Sequence, residues 1–252
     1  FDQDKKAIQK AKLFFKKEKK INIIYSNFYF LKKELNKKGI KQIDGIIFDL
    51  GLSSFQIDNE KRGFSYLSKN NLDMRMDIDQ QILTAKDIIN KYSYENLKKI
   101  FFIYGEEKKS SLIAKEIIRK RPIQNSLELV EIIDKFKKNK KGHSAKKIFQ
   151  ALRIEVNQEL IILKEAIKQS FDLLKKNARI IIISFNSLED RIVKKIFKKY
   201  SSSNFPKKLI TFDKFIPILK IINKKIITPQ IEEILSNPRS KSAKLRIAEK
   251  NI

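Results

Sequence analysis

The stretch that most limits what this chain can fold into runs from Asp44 to Asp77, DGIIFDLGLSSFQIDNEKRGFSYLSKNNLDMRMD. It opens on Ile46, Ile47 and Phe48, an apolar run with the length and β-rich composition of a buried strand. The strand stops at Asp49, and Gly51 follows. Beyond it Ser53, Ser54, Gln56, Asp58, Arg62, Gly63, Asp73, Arg75 and Asp77 keep neither a strand period nor a helix period. A long polar loop just past the carboxyl end of a buried strand is where open α/β folds place ligands. The plainer alternative is an ordinary surface loop.

Upstream, Ala7, Ile8, Ala11 and Phe14 line one face of a helix expected over Lys5 to Lys16. Asp2 or Asp4 before it is placed either to accept hydrogen bonds from a nucleoside ribose or simply to cap the helix. Ile21 to Tyr25 reads as a second short strand and Tyr29 to Lys38 as a helix. Counting the opening residues as the end of a strand, strands and helices alternate up to Phe48, an α/β pattern with a mainly parallel sheet.

From Thr84 to Lys138 the apolar residues fall at helical spacings, broken at Pro122 and Asn125, with Ser126 available as a cap. This reads as a helical insertion over the ligand edge of the sheet. Gly142, His143 and Ser144 precede one long helix, Ala145 to Lys176, which carries Gln150, Arg153 and Asn157 on a face away from its apolar stripe. Ala178 to Ile183 is the strongest buried-strand signal, and polar residues from Ser184 to Arg191 follow it. In a parallel sheet its end shares a rim with Asp49. A helix is expected over Ile192 to Tyr200, capped by Ser187 or Asp190. Ser201 to Lys225 stays unassigned. A short helix over Gln230 to Leu235 and an edge strand over Ser242 to Ala248 close the chain. The domain reading is a core over 1–80, a helical substrate-recognition insertion over 81–142, and the rest of the core over 143–252.

Composition narrows the chemistry. Lysine and arginine number 56 against 29 aspartates and glutamates, a formal charge of +27 that favours a polyanion, nucleic acid ahead of membrane. An AT-rich coding sequence would explain part of that excess as background. The chain has no cysteine and one histidine, which removes thiolate nucleophiles and Cys- or His-rich metal centres. No lysine-bearing phosphate loop is present. Ser184 or Ser187 with His143 is a narrow route to hydrolysis, without the glycine pattern that a nucleophile elbow needs. Group transfer from a preactivated cofactor asks less: donor and acceptor must be held in line and water excluded. With no spanning run or signal-peptide pattern, the compartment expected is the cytoplasm.

These same stretches carry a resemblance. Asp44 to Asp77, YGEE at Tyr104 to Glu107, FQALRIEVNQEL at Phe149 to Leu160, SFNSLEDRIVK at Ser184 to Lys194 and NPRSKSAKLRIAE at Asn237 to Glu249 occur in the order of one family. In them the chain resembles the bacterial 16S ribosomal RNA cytosine-N4 methyltransferases of the RsmH (MraW) family. The resemblance implies a class I S-adenosylmethionine-dependent (Rossmann-like) methyltransferase fold with an inserted helical domain. It also implies N4-methylation of a cytidine in the decoding region of 16S ribosomal RNA within the small subunit.

By position, Asp2 resembles the acidic residue that holds the cofactor ribose and Phe28 the residue near the adenine. Asp49 and Gln56 resemble further cofactor-site residues. Asp49, Ser184 and Asn186 are the candidates for the catalytic centre. Arg62, Arg75, His143, Arg153, Asn157 and Arg191 are the candidates for the substrate side, with Phe64, Tyr66 or Phe185 as stacking surfaces. The family's glycine-rich loop, with its GGH element, would precede Phe1, so methyl transfer is expected to need an upstream extension. Phe55 stands where the family usually has Pro, and Asn186 where it usually has His, which argues against an obligatory histidine base there. The rival readings are a non-catalytic RNA-binding or small-subunit assembly protein on the same scaffold, and a methyltransferase for an amine of DNA or protein. A homodimer is a further expectation.

Overall fold

The computed structural model describes residues 1–67, 69, 71–136, 143–202 and 217–252. Gly142 and most of the unassigned segment after Ser202, including Pro206, lie outside the described residues. The chain packs as two compact units. The first comprises Phe1, Ser26–Gly51 and Leu160–Ile252, and the second Asp2–Tyr25 and Leu52–Glu159.

The first unit is built on a sheet of strands β1 (Ile43–Asp49), β2 (Leu174–Ser184), β3 (Leu219–Ile221) and β4 (Lys244–Lys250), in the spatial order β1-β2-β4-β3. β1 and β2 are parallel, with Phe48 opposite Ile182 and Asp49 opposite Ile183. β2–β4 and β4–β3 are antiparallel. The described sheet is therefore mixed rather than mainly parallel. Ile180 and Ile182 of β2 are fully buried, packed with Phe48 and Leu50 and with Leu163, Ile167, Val193 and Phe197 from helices. An unbroken apolar run can be covered on both faces, which is why ARIIII makes an internal strand.

β4 is also internal, not the expected edge strand. Its charged positions mimic a wet face, but Arg246 is neutralised by Asp190 rather than by water. Ile21 to Tyr25 does not form a strand: one bridge joins Asp2 to Tyr25, with the Asp2 N–H donating to the Ile24 carbonyl.

The second unit is helical. It holds α1 (Lys5–Phe14), α3 (Ser54–Asp58), α4 (Ala85–Lys91), α5 (Tyr94–Ile103), α6 (Ser110–Arg119), α7 (Ser126–Asp134) and α8 (Lys146–Asn157). Leu97, Phe101, Ile117, Leu129, Ile148 and Leu152 make its core, at the helical spacings of the sequence. Asn125, not Ser126, caps α7, its side chain accepting from the N–H groups of Leu127 and Glu128. Gly63 is held at φ 72°, and a Cβ there would lie 2.0 Å from the Asn71 carbonyl oxygen, so only glycine fits.

Two helices of the first unit follow candidate residues of the sequence. α2 (Leu31–Lys37) follows a 3₁₀ turn at Phe28–Phe30, and α10 (Ser187–Ser201) follows β2. The single long helix expected over 145–176 is interrupted. α8 stops at Gln158, which takes the left-handed conformation (φ 50°), and α9 (Glu159–Leu173) resumes before β2 starts at Leu174. Leu174 to Lys176 have helical propensity, but Leu174 is drawn into the ladder opposite Ile43.

Candidate functional site

In the first unit, parallel pairing puts the carboxyl ends of β1 and β2 on one rim, as expected. The Leu50 N–H donates to the Ile183 carbonyl and holds the two ends together. Gly51, at φ 99°, then turns the chain beside Phe185, whose ring would touch any Cβ placed there at 3.5 Å. Asp49 is exposed on this rim, and no side-chain hydrogen bond or ion pair engages its carboxylate among the described residues. Surrounding protein still withdraws enough water to push its pKa above the ordinary value.

Ser184, Asn186 and Asp190 are engaged within the protein. Ser184 is buried, and its Oγ donates to the Lys244 carbonyl at 3.4 Å. Asn186 is the N-cap of α10: its Oδ1 accepts from the Leu188 and Glu189 N–H groups, while the Glu189 carboxylate accepts from the Phe185 and Asn186 N–H groups. The start of α10 therefore moves to Ser187, and neither Ser187 nor Asp190 is its cap. The Asn186 Oδ1 is occupied as an acceptor, and its Nδ2 is buried without a partner among the described residues. Asp190 binds Arg246 through two contacts, 2.7 and 3.1 Å. Arg191 lies exposed on the same helix. Phe28 packs edge-on against Phe48, with ring centroids 5.7 Å apart.

In the second unit the hub is Asp4, which the sequence placed only as an alternative to Asp2. Asp4 caps α1 through the Lys6 N–H and accepts from the Gln56 Nε2 at 2.9 Å and the Arg62 guanidinium at 2.7 Å. Asp4 and Arg62 are each only 3% exposed. Burial pushes the Asp4 carboxyl up, but hydrogen bonds from Arg62 and Gln56 outweigh it and hold the pKa below the ordinary value. Gln56 is positioned by a capping box with Ser53 at the start of α3, a helix the loop reading missed. Asp2 is exposed and accepts from the Asp4 N–H at 2.7 Å, and the protein around it raises its pKa. Of the cofactor-side candidates, Asp2 and Asp49 are thus the carboxylates with room for a ligand.

The arginines expected on phosphates or carboxylates are taken up internally. Arg62 also donates to the carbonyls of Arg75 and Met76. Arg75 grips Asp73 through two hydrogen bonds of 2.8 Å, and Arg153 grips Glu159 at 2.8 and 2.9 Å. Asn157 is buried. Its Nδ2 donates to the carbonyls of Met74 and Arg153, and its Oδ1 accepts from the Met76 N–H. The His143 ring lies 4.4 Å from the Tyr66 ring, and its Nδ1 accepts from the Ala145 N–H. The structure therefore gathers Gln56 and Arg62 around Asp4, and Arg75 and Asn157 around the 73–81 segment. The signals that could have found the caps were Ser53-x-x-Gln56 and Asn186-x-x-Glu189.

A sheet with an open carboxylate on its parallel rim, fed by the motif from Asp44 to Asp77, is the framework of a class I methyltransferase. The profile of the MraW methylase family matches residues 1–251, and the chain belongs to that family. Ribosomal RNA small subunit methyltransferase H of Onion yellows phytoplasma (strain OY-M) is 57% identical over 252 residues, covering 100% of this chain and 82% of that protein. The protein of the same description from Aster yellows witches'-broom phytoplasma (strain AYWB) is 56% identical over 253 residues, with 100% and 82% covered. Ribosomal RNA small subunit methyltransferase H 1 of Acholeplasma laidlawii (strain PG-8A) is 52% identical over 252 residues, with 99% and 83% covered. The cofactor of the family fold is S-adenosylmethionine. Within the first unit, the chemistry of the open Asp49 carboxylate is compatible with an ammonium group and that of Phe28 with an aromatic base. No helix among the described residues is long and apolar enough to cross a membrane.

Proposed function

We propose that this chain methylates the exocyclic N4 amine of a cytidine in the decoding region of small-subunit ribosomal RNA, acting in the cytoplasm where that RNA is assembled. The observation that carries this reading is Asp49, an open carboxylate with a raised pKa on a rim where Ser184 and Asn186 are already engaged. The names of the relatives supply the RNA class.

The cofactor supplies an electrophilic methyl group. The cytosine amine is a weak nucleophile because its lone pair is delocalised into the ring. It must be held in line, and a proton must leave the nitrogen as the new bond forms. Asp49 orients the amine or the cofactor's amino-acid portion and favours the growing positive charge. Asn186 supports the rim by capping the start of α10, and Ser184 by its bond to the Lys244 carbonyl of β4. The target base leaves its stack to be reached, at a cost of roughly a few kcal/mol that falls in irregular RNA. His143 on Tyr66 is assigned to the substrate side.

The test is calorimetry with S-adenosylmethionine and methyl transfer to small-subunit RNA, on the native-length protein and on Asp49→Ala. Asp49 is exposed, so the substitution leaves the fold intact. A loss of about 10²-fold or more in transfer is expected. An Asp49→Ala protein with unchanged transfer and unchanged cofactor affinity removes the proposed role. RNA binding without any cofactor binding by the native protein would favour an assembly protein instead.

A further inference from the structure

α10 has a second face that the proposed chemistry does not use. Its apolar residues Ile192, Val193, Ile196, Phe197 and Tyr200 pack into the core of the first unit. The opposite face exposes Lys194, Lys195, Lys198 and Lys199. Within the α-helical repeat these four fall in an arc of about 140° and span about 8 Å along the axis.

No acidic side chain pairs with any of the four among the described residues. The acids of the helix are already engaged, Glu189 in the N-terminal capping box and Asp190 on Arg246. On other helices Lys37 pairs with Glu34, Lys98 with Glu95, Arg119 with Glu116 and Lys168 with Glu165.

The helix dipole explains part of this pattern. Lys198 and Lys199 lie in the last turn, where positive charge is favoured. Lys194 and Lys195 lie a turn further back. They form like-charge i,i+4 pairs with Lys198 and Lys199, an arrangement that weakens a helix by a few tenths of a kcal/mol per pair. A solvated surface has no need of that arrangement. A polyanion laid along the face removes the repulsion and releases condensed counterions.

We propose that the Lys194–Lys195–Lys198–Lys199 face of α10 is a docking stripe for the RNA backbone, contributing affinity and position without reading sequence. The proposal rests on RNA as the substrate. Phosphate contacts of this kind fix register and orientation, while base contacts specify.

The test uses the native-length protein and a quadruple variant, Lys194→Gln, Lys195→Gln, Lys198→Gln and Lys199→Gln. Glutamine matches lysine in helix propensity, and circular dichroism checks that the helix is kept. Binding to small-subunit RNA is followed from 50 to 200 mM salt, beside methyl-transfer kinetics. The variant is expected to bind RNA about tenfold or more weakly at moderate salt, with a log–log salt slope shallower by about 3 for a single-stranded contact. Its KM for RNA rises while its cofactor affinity and its kcat at saturating RNA hold.

A second readout needs no variant: RNA bound to the native protein should shield these four lysines from acetylation, scored by mass spectrometry. Unchanged RNA affinity and slope, or lysines acetylated equally with and without RNA, overturns the stripe. So does a variant that loses binding to vesicles of anionic phospholipid while keeping RNA binding. A native protein that shows the shielding and the slope but transfers no methyl group would sink the methyltransferase reading and leave the stripe standing.

Discussion

Replacing Arg62 by Met should cost the protein about 3–5 kcal/mol, the range for removing one partner of a buried ion pair. The substitution keeps most of the apolar stem and removes the guanidinium. Asp4, 3% exposed, then loses its 2.7 Å cation and keeps only Gln56 and the Lys6 N–H as partners. The carbonyls of Arg75 and Met76 lose their donors as well. With a urea slope of about 2 kcal/mol per molar, the unfolding midpoint falls by about 2 M, read by far-UV circular dichroism at pH 7.

The pH dependence has a definite sign. In the native protein the Asp4 pKa is lowered, so the pair's stabilisation is present above the unfolded value of about 3.9 and is lost as pH falls through the folded value. In Arg62→Met the burial that pushes Asp4 up is no longer outweighed, so its folded pKa lies above the unfolded one. The penalty is then largest at neutral pH and is relieved on acidification, and the gap between the two proteins narrows. The double variant Asp4→Asn/Arg62→Met should recover part of the loss, because removing both charges strands neither. A cost below about 1 kcal/mol at pH 7, or a double variant no more stable than Arg62→Met, would refute the pair as the clasp of the helical unit. It would also return Arg62 to the RNA side.

Asn157→Ala leaves the Met76 N–H and the Met74 carbonyl without their buried partner, and a loss of about 3 kcal/mol in a thermal melt is expected. A shift within error would mean that water replaces the amide. If Asp2 holds the cofactor ribose, it does so best when ionised, and since the surrounding protein raises its pKa, cofactor affinity should climb as pH rises through that raised value. Calorimetry on Asp2→Asn should show about tenfold weaker binding and a flattened profile, and a variant that kept the native pH profile would exclude this role.

The strand ending at Asp49, the buried run Ala178 to Ile183, and the rim that Asp49 and Ser184 share were legible because each depends on local periodicity and on parallel pairing. The helical texture from Thr84 onward was legible for the same reason, since apolar residues at helical spacing have one solution. Less legible was what each polar residue does. Arg75 and Arg153 look alike in sequence to phosphate-binding arginines, and only the positions of Asp73 and Glu159 reveal that they are already paired.

By itself the sequence determined the class of fold, the family motifs and the net charge, because these are properties of residue order and composition. Tertiary structure alone decided that Asp4, not Asp2, is the buried hub. It also placed β4 inside the sheet, where Arg246 meets Asp190 of α10. Each of those outcomes turns on a partner distant in sequence: Asp4 meets Gln56 and Arg62, and Asp190 meets Arg246. A buried charge takes whatever counter-charge the fold brings within about 3 Å, and that meeting is set by three-dimensional packing rather than by spacing along the chain.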